Sequence, residues 1–186
     1  HGGGSPRRDR SHHPIRNHRT DFTLDHKRTG PGPVVIKMIT PIEIPSPLAL
    51  YMDGLRNHDL GKIEGSFARD IRFVTPARTM ECSEILSFLS ALYRGFPDWT
   101  YDNDPPVLTE EGAIGVKWRQ GGTHTGALAF PGFDSYPATG RKVTIPAHFF
   151  YYLVDDLGLH EIRPDPIPGG APRGIFEQIG VDQPPL

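Results

Sequence analysis

The chain has 186 residues, 37% of them hydrophobic, and a formal net charge of −2. That is enough apolar chain for one domain with its own core, and the near-neutral balance supplies no global field of the kind that gathers nucleic acid. A single cysteine, Cys82, excludes an internal disulfide and a cysteine-built zinc site. No apolar run approaches the ~20 residues of a membrane-spanning helix.

Charge is distributed unevenly. Residues 1–30 hold seven Lys/Arg, three Asp and five His, whereas residues 31–186 hold thirteen Lys/Arg against nineteen Asp/Glu. Residues 1–33 therefore read as a basic tail, disordered or extended, with Gly2-Gly3-Gly4 and almost no apolar side chains. A tail of this kind becomes ordered only against another surface, which points to a larger assembly. Its Arg and His content resembles part of an organelle transit peptide, interrupted by acids. The lone cysteine suits a reducing compartment, and the sequence leaves the compartment open.

Residues 34–45 form an extended lead-in broken by Pro41 and Pro45, residues 46–181 read as the folded domain, and 182–186 as a short C-terminal tail. Ser46-Pro47 predicts a helix start, with Ser46 as cap and Pro47 in the first turn. Leu48, Leu50, Tyr51 and Leu55 follow at near-helical spacing. Asp59 is placed to cap a second short helix carrying Leu60, Ile63 and Phe67. Ile71 and Phe73 alternate as a strand that Pro76 ends, and residues 78–82 offer another. Ser83 is expected to cap a third helix, with Ile85, Phe88, Leu89 and Leu92 facing inward and Gly95 at its end. Strands then dominate, at 99–102, 107–108, 113–120, 142–154 and 159–163, the last two joined by a hairpin turn. Residues 126–140 are a loop rich in Gly, Pro and aromatics, and 174–179 a closing helix. Helices first and a strand meander after predict an α+β fold, a curved antiparallel sheet with about three helices packed on its concave face. Such a sheet can wrap around a cavity.

The chemistry-bearing residues are few. There is no phosphate loop, no cysteine ligand pair and no serine nucleophile elbow. His124 lies in Gly122-Thr123-His124-Thr125-Gly126 at a strand end; with His148 and Asp165 it offers a cofactor-free acid/base set, provided the three side chains meet. Their spacing matches no metal site, so no metal is expected. Trp99, Trp118, Phe150, Tyr152 and Arg163 are the candidate wall of a substrate pocket. Each residue has a plainer use. His124 can bridge backbone groups, His148 can be a satisfied core histidine, and Asp165 can sit in a turn between Pro164 and Pro166. Arg163 can pair with Glu161 or Asp165, and the aromatics suit a core or a dimer surface. Strand parity places Leu159, Glu161, Arg163 and Asp165 on one face of the last strand, and His148, Phe150 and Tyr152 on one face of its neighbour. The opposite parity turns His160 and Ile162 inward.

Six pieces of the chain, in order, carry a resemblance over roughly residues 47–181. They are Asn57-His58-Asp59-Leu60, Phe67-Ala68-Arg69-Asp70-Ile71-Arg72-Phe73, Phe96-Pro97-Asp98, Gly122-Thr123-His124-Thr125-Gly126, Ala138-Thr139-Gly140-Arg141-Lys142-Val143 and Phe176-Glu177-Gln178-Ile179-Gly180-Val181. Together they resemble the SnoaL-like polyketide cyclases within the nuclear transport factor 2-like cone fold. The resemblance implies ring closure by an intramolecular aldol reaction, without metal or organic cofactor. It implies an Asp acting as acid/base on the last strand, at Asp165, and a neighbouring His, at His148. It also implies a homodimer through the outer face of the sheet.

Two readings follow. One is a SnoaL-like cyclase or isomerase acting on a small apolar carbonyl compound. The other is a non-catalytic SnoaL-like subunit of a larger, organellar complex, anchored by its N-terminal tail. An open cavity with His148 and Asp165 within hydrogen-bond reach favours the first; a cavity plugged by Phe130, Phe133, Phe150 or Tyr152 favours the second.

Overall fold

The computed structural model describes residues 42–181; the basic tail, residues 34–41 of the lead-in and residues 182–186 lie outside the described residues. Along the chain come α1 (Ser46–Asn57), α2 (Leu60–Gly65), β1 (Phe67–Val74), β2 (Thr79–Met80), α3 (Cys82–Gly95), β3 (Thr100–Asn103), β4 (Val107–Leu108), β5 (Ile114–Thr123), β6 (Lys142–Asp155), β7 (Gly158–Pro164) and α4 (Arg173–Ile179). Among the described residues no helix is long and apolar enough to cross a membrane.

Local chemistry accounts for the helix ends. α1 starts directly after Pro45 with Pro47 in its first turn and no side-chain cap, so Ser46 is a helical residue and not the expected cap. The first-turn N–H groups have no intrahelical partner in any case, so proline costs nothing there. α1 stops at His58, whose φ is 54°. Asp59 then caps α2, its carboxylate accepting the Lys62 N–H at 3.0 Å. α3 begins one residue before Ser83. Its cap is Glu81, which exchanges bonds with Glu84 in a capping box, satisfying two orphan donors at once.

The strands form one curved, unclosed sheet in the order β2-β1-β7-β6-β5-β3, with β4 also on β5. Every pairing is antiparallel except β1 with β7, which is parallel. The expectation of a wholly antiparallel sheet is corrected at that one seam. β1 and β7 are separated by α3 and five strands, so the chain has ample length for the crossover that a parallel pair requires.

Two bulges decide which side chains face the helices. Trp118 pairs with His148 and Gln120 with Ile145, so Pro146 and Ala147 together oppose Arg119. Proline has no N–H for a ladder, and a bulge is one of the few places a sheet tolerates it. The extra residue resets the alternation, and Val143, Ile145, His148 and Tyr152 are all buried on one face. A second shift, between Leu153 and Val154, leaves His160 outside the pairing. Leu159 and Ile162 consequently both reach the core, each with no exposed surface.

The core lies between that face and the helices. α1 contributes Leu48, Tyr51, Met52 and Leu55, α3 contributes Ile85, Leu89 and Leu92, and α4 closes one end with Ile175, Phe176 and Ile179. Burial of each such side chain stabilises the fold by roughly 1.5–3 kcal/mol.

Candidate functional site

A cavity of about 690 Å³ is left between α1, α3 and the inward face of the sheet, within the usual range of small-molecule sites. Leu55, Ile85, Leu89, Leu92 and Ile145 give it an apolar wall, and Trp99, Trp118, Phe150 and Tyr152 all line it. Polar side chains on the wall are few, among them Gln120, His148 and Asp165. The space is not plugged. Phe130 instead stacks on Phe88 at 4.4 Å and packs edge-on to Phe176 at 5.7 Å.

His148 is 8% exposed and reaches the cavity because of the Pro146-Ala147 bulge. Its Nδ1 lies 2.8 Å from the Pro146 carbonyl oxygen. A carbonyl only accepts, so Nδ1 carries the hydrogen, and in the neutral ring the lone pair sits on Nε2. Phe150 packs against the ring at 4.8 Å. One proline thus turns the imidazole inward and fixes its tautomer.

Asp165 follows the end of β7, where its N–H still donates to the Phe149 carbonyl at 2.8 Å. It borders the cavity. Its carboxylate, however, accepts from the Tyr151 hydroxyl at 3.4 Å, and Tyr151 alternates with Phe150 and Tyr152 to the other face of β6. No hydrogen bond joins Asp165 to His148 among the described residues.

His124 is not on the cavity wall. It is fully buried, stacks on Phe96 at 5.1 Å, and shares a hydrogen bond of 3.0 Å between Nδ1 and the Thr139 hydroxyl. Burial lowers its pKa below 6.5. Around it the glycine motif serves close packing. Asp98 accepts the Thr123 N–H at 2.7 Å, and the Gly126 N–H bonds to Gly95 at 3.0 Å. A Cβ on Gly126 would lie 1.9 Å from the Arg94 carbonyl oxygen. Arg163 is also off the wall; its guanidinium pairs with Glu161 on the outer face, where Arg72 joins at 3.6 Å. Among the described residues no group of three or more His, Cys, Asp or Glu side chains is placed to hold a metal ion.

Tyr51 and Tyr101 were not singled out from the sequence, yet both are on the wall. They come from α1 and β3, fifty residues apart, and no local pattern marks the meeting. The Tyr51 ring packs on Tyr152 at 5.8 Å, and Tyr101 packs on Trp118 at 5.9 Å. Trp118 Nε1 donates to the Tyr152 hydroxyl at 2.8 Å. The Tyr93 and Tyr101 hydroxyls are 3.2 Å apart. Desolvation raises the pKa of Tyr51, Tyr101 and Tyr152, so all three hold their protons.

No curated protein sequence matches the chain. Solved structures show the same fold at low identity. AclR of Streptomyces galilaeus, assigned as a hydroxylase, is 19% identical over 74% of this chain and 84% of its own, with a TM-score of 0.57. A protein of Jannaschia sp. CCS1 assigned as a SnoaL-like polyketide cyclase is 16% identical over 79% and 99%, with a TM-score of 0.56. TerC, crystallised with polyporic acid, is 12% identical over 72% and 94%, with a TM-score of 0.51. The family model of the SnoaL-like domain matches residues 48–158, and the chain belongs to that family, on the nuclear transport factor 2-like fold.

Proposed function

We propose that the domain is a cofactor-independent acid/base catalyst that closes a ring within a small apolar carbonyl compound by an aldol-type step. The observation that carries this reading is His148, a buried imidazole on the wall of an apolar cavity with its Nδ1 tied to a carbonyl. Its Nε2 takes a proton from a carbon beside a substrate carbonyl, and the electron pair moves onto that carbonyl's oxygen. The enolate carbon then attacks a second carbonyl of the same molecule. The new alkoxide recovers the proton from the imidazolium. Asp165 borders the same cavity, and although Tyr151 holds its carboxylate, that negative charge at the border favours the imidazolium that forms midway. The cavity walls hold the two reacting carbons together, which is where most of the remaining acceleration arises.

The first half of the step can be tested without the natural substrate. In D₂O the protein should accelerate exchange of the α-protons of 2-tetralone, a bicyclic apolar ketone, followed by proton NMR. His148→Ala should lose ~10²–10⁴ of that acceleration, and Asp165→Asn a smaller part. Exchange at the buffer rate, or an undiminished rate in His148→Ala, overturns the reading. One observation favours a non-catalytic subunit instead: the Asp165 carboxylate is bonded to Tyr151 and not to His148. The same exchange measurement separates the two.

A further inference from the structure

We propose that Tyr51, Tyr101 and Tyr152 form a hydroxyl subsite in the cavity that receives an oxygen acceptor of the ligand, a carbonyl or enolate oxygen. The proposal rests on the reading of this cavity as a ligand site, and names the group that orients the ligand there.

The inference follows from counting protons against acceptors. The Tyr152 hydroxyl accepts from Trp118 Nε1, so its own proton is left without an acceptor among the described residues. The Tyr51 hydroxyl makes no hydrogen bond there at all. Tyr93 and Tyr101 share one bond, which uses one of their two protons. Trp99 Nε1 is buried without a partner as well, and Trp99 is on the same wall. The aromatic side of the cavity therefore holds more hydroxyl and indole protons than bonds made with them, and the Gln120 amide, across the strands from Tyr101, is bonded to none of them. A hydrocarbon that filled this space would cut the hydroxyl donors off from water without supplying an acceptor, at roughly 1–3 kcal/mol each. A ligand oxygen placed among these hydroxyls would relieve that cost, and a hydrocarbon would not.

The position relative to His148 sets a length. His148 and Tyr152 lie four residues apart on β6, so their backbones are separated by roughly 13 Å. Trp118 bridges this interval, since it pairs with His148 across the strands while its indole reaches Tyr152. A flat ligand of two or three fused rings suits that interval, with its oxygen on the edge that faces the tyrosines. Raised tyrosine pKa values keep the donors protonated over the whole neutral range.

The test compares 9-fluorenone with fluorene, two flat three-ring probes that differ by one carbonyl oxygen. Dissociation constants are measured by calorimetry for the wild type and for Tyr51→Phe, Tyr101→Phe and Tyr152→Phe. Tyr51→Phe removes a hydroxyl that bonds to nothing among the described residues, so it keeps their fold. The fluorenone-to-fluorene affinity ratio should fall about tenfold in Tyr51→Phe, one hydrogen bond's worth, with fluorene binding itself unchanged. A ratio unaltered in all three variants overturns the hydroxyl subsite while leaving the cavity a ligand site. Failure of both probes to bind the wild type overturns the ligand-site reading and this inference with it.

Discussion

His124 and His148 are both buried imidazoles, and their partners give them different work. His148 has one nitrogen tied to a carbonyl and a place on the cavity wall. His124 has an aromatic neighbour and a threonine, and no cavity. It joins the end of α3 to the start of β6 through Phe96 and Thr139. Because burial lowers its pKa below 6.5, the folded state holds it neutral while the unfolded chain takes up a proton. Its contribution is complete above pH 6.5 and is lost as pH falls through the lower, folded value. His124→Phe, which keeps a ring against Phe96, should therefore lose less stability than the wild type between pH 7 and pH 5, read by urea denaturation. Strand pattern alone does not separate the two histidines; the family resemblance points to His148, and the tertiary partners of each ring show how their surroundings differ.

At the scale of elements, the sequence predicted most of what forms. Helical spacing marked α1 and α3, and the turn at Asp155-Asp156-Leu157-Gly158 marked the β6–β7 hairpin. What it could not provide was facing. Counting by twos from buried Ile145 puts His148 on the outside; the bulge at Pro146-Ala147 puts it inside. The same shift of parity around His160 sends Ile162 inward and Glu161 outward, so Arg163 ends on the face opposite His148, and just beyond the strand the Asp165 carboxylate turns to Tyr151. Pro146 was the visible sign of a bulge, but which way the alternation resumed depended on the partner strand. Deleting Ala147 removes the extra residue and forces half of β6 to present the wrong face. The variant should be destabilised by about 4 kcal/mol or more, seen as a lowered melting temperature, and should no longer bind fluorenone.

The six sequence pieces that mark the family are largely joints of the whole molecule. Asn57-His58-Asp59-Leu60 turns α1 into α2, with His58 stacked on Tyr93 at 4.0 Å and bonded to the Trp99 carbonyl at 2.7 Å. Gln178 bonds both backbone groups of Thr144, at 2.9 and 3.0 Å. Such joints were readable because they demand specific residues, whereas a cavity wall asks only for apolar bulk. Another joint spans the parallel seam. His160 meets Asp70 of β1 at 2.6 Å and Asp155 of the hairpin at 2.9 Å. The two carboxylates raise its pKa above 6.5. The stabilisation is fully present below pH 6.5 and is lost as pH rises through the higher, folded value. His160→Gln should lower the melting temperature at pH 6 and make little difference at pH 9.

The family match ends at residue 158, yet Pro164, Asp165, Pro166, Ile167 and Pro172 all border the cavity. Most of the cavity's lining thus lies inside the matched stretch and one part of its border beyond it. A handful of changes in that last stretch, short of strand and rich in proline, would reshape one side of the cavity for a different guest while α1, α3 and β5 stayed where they are.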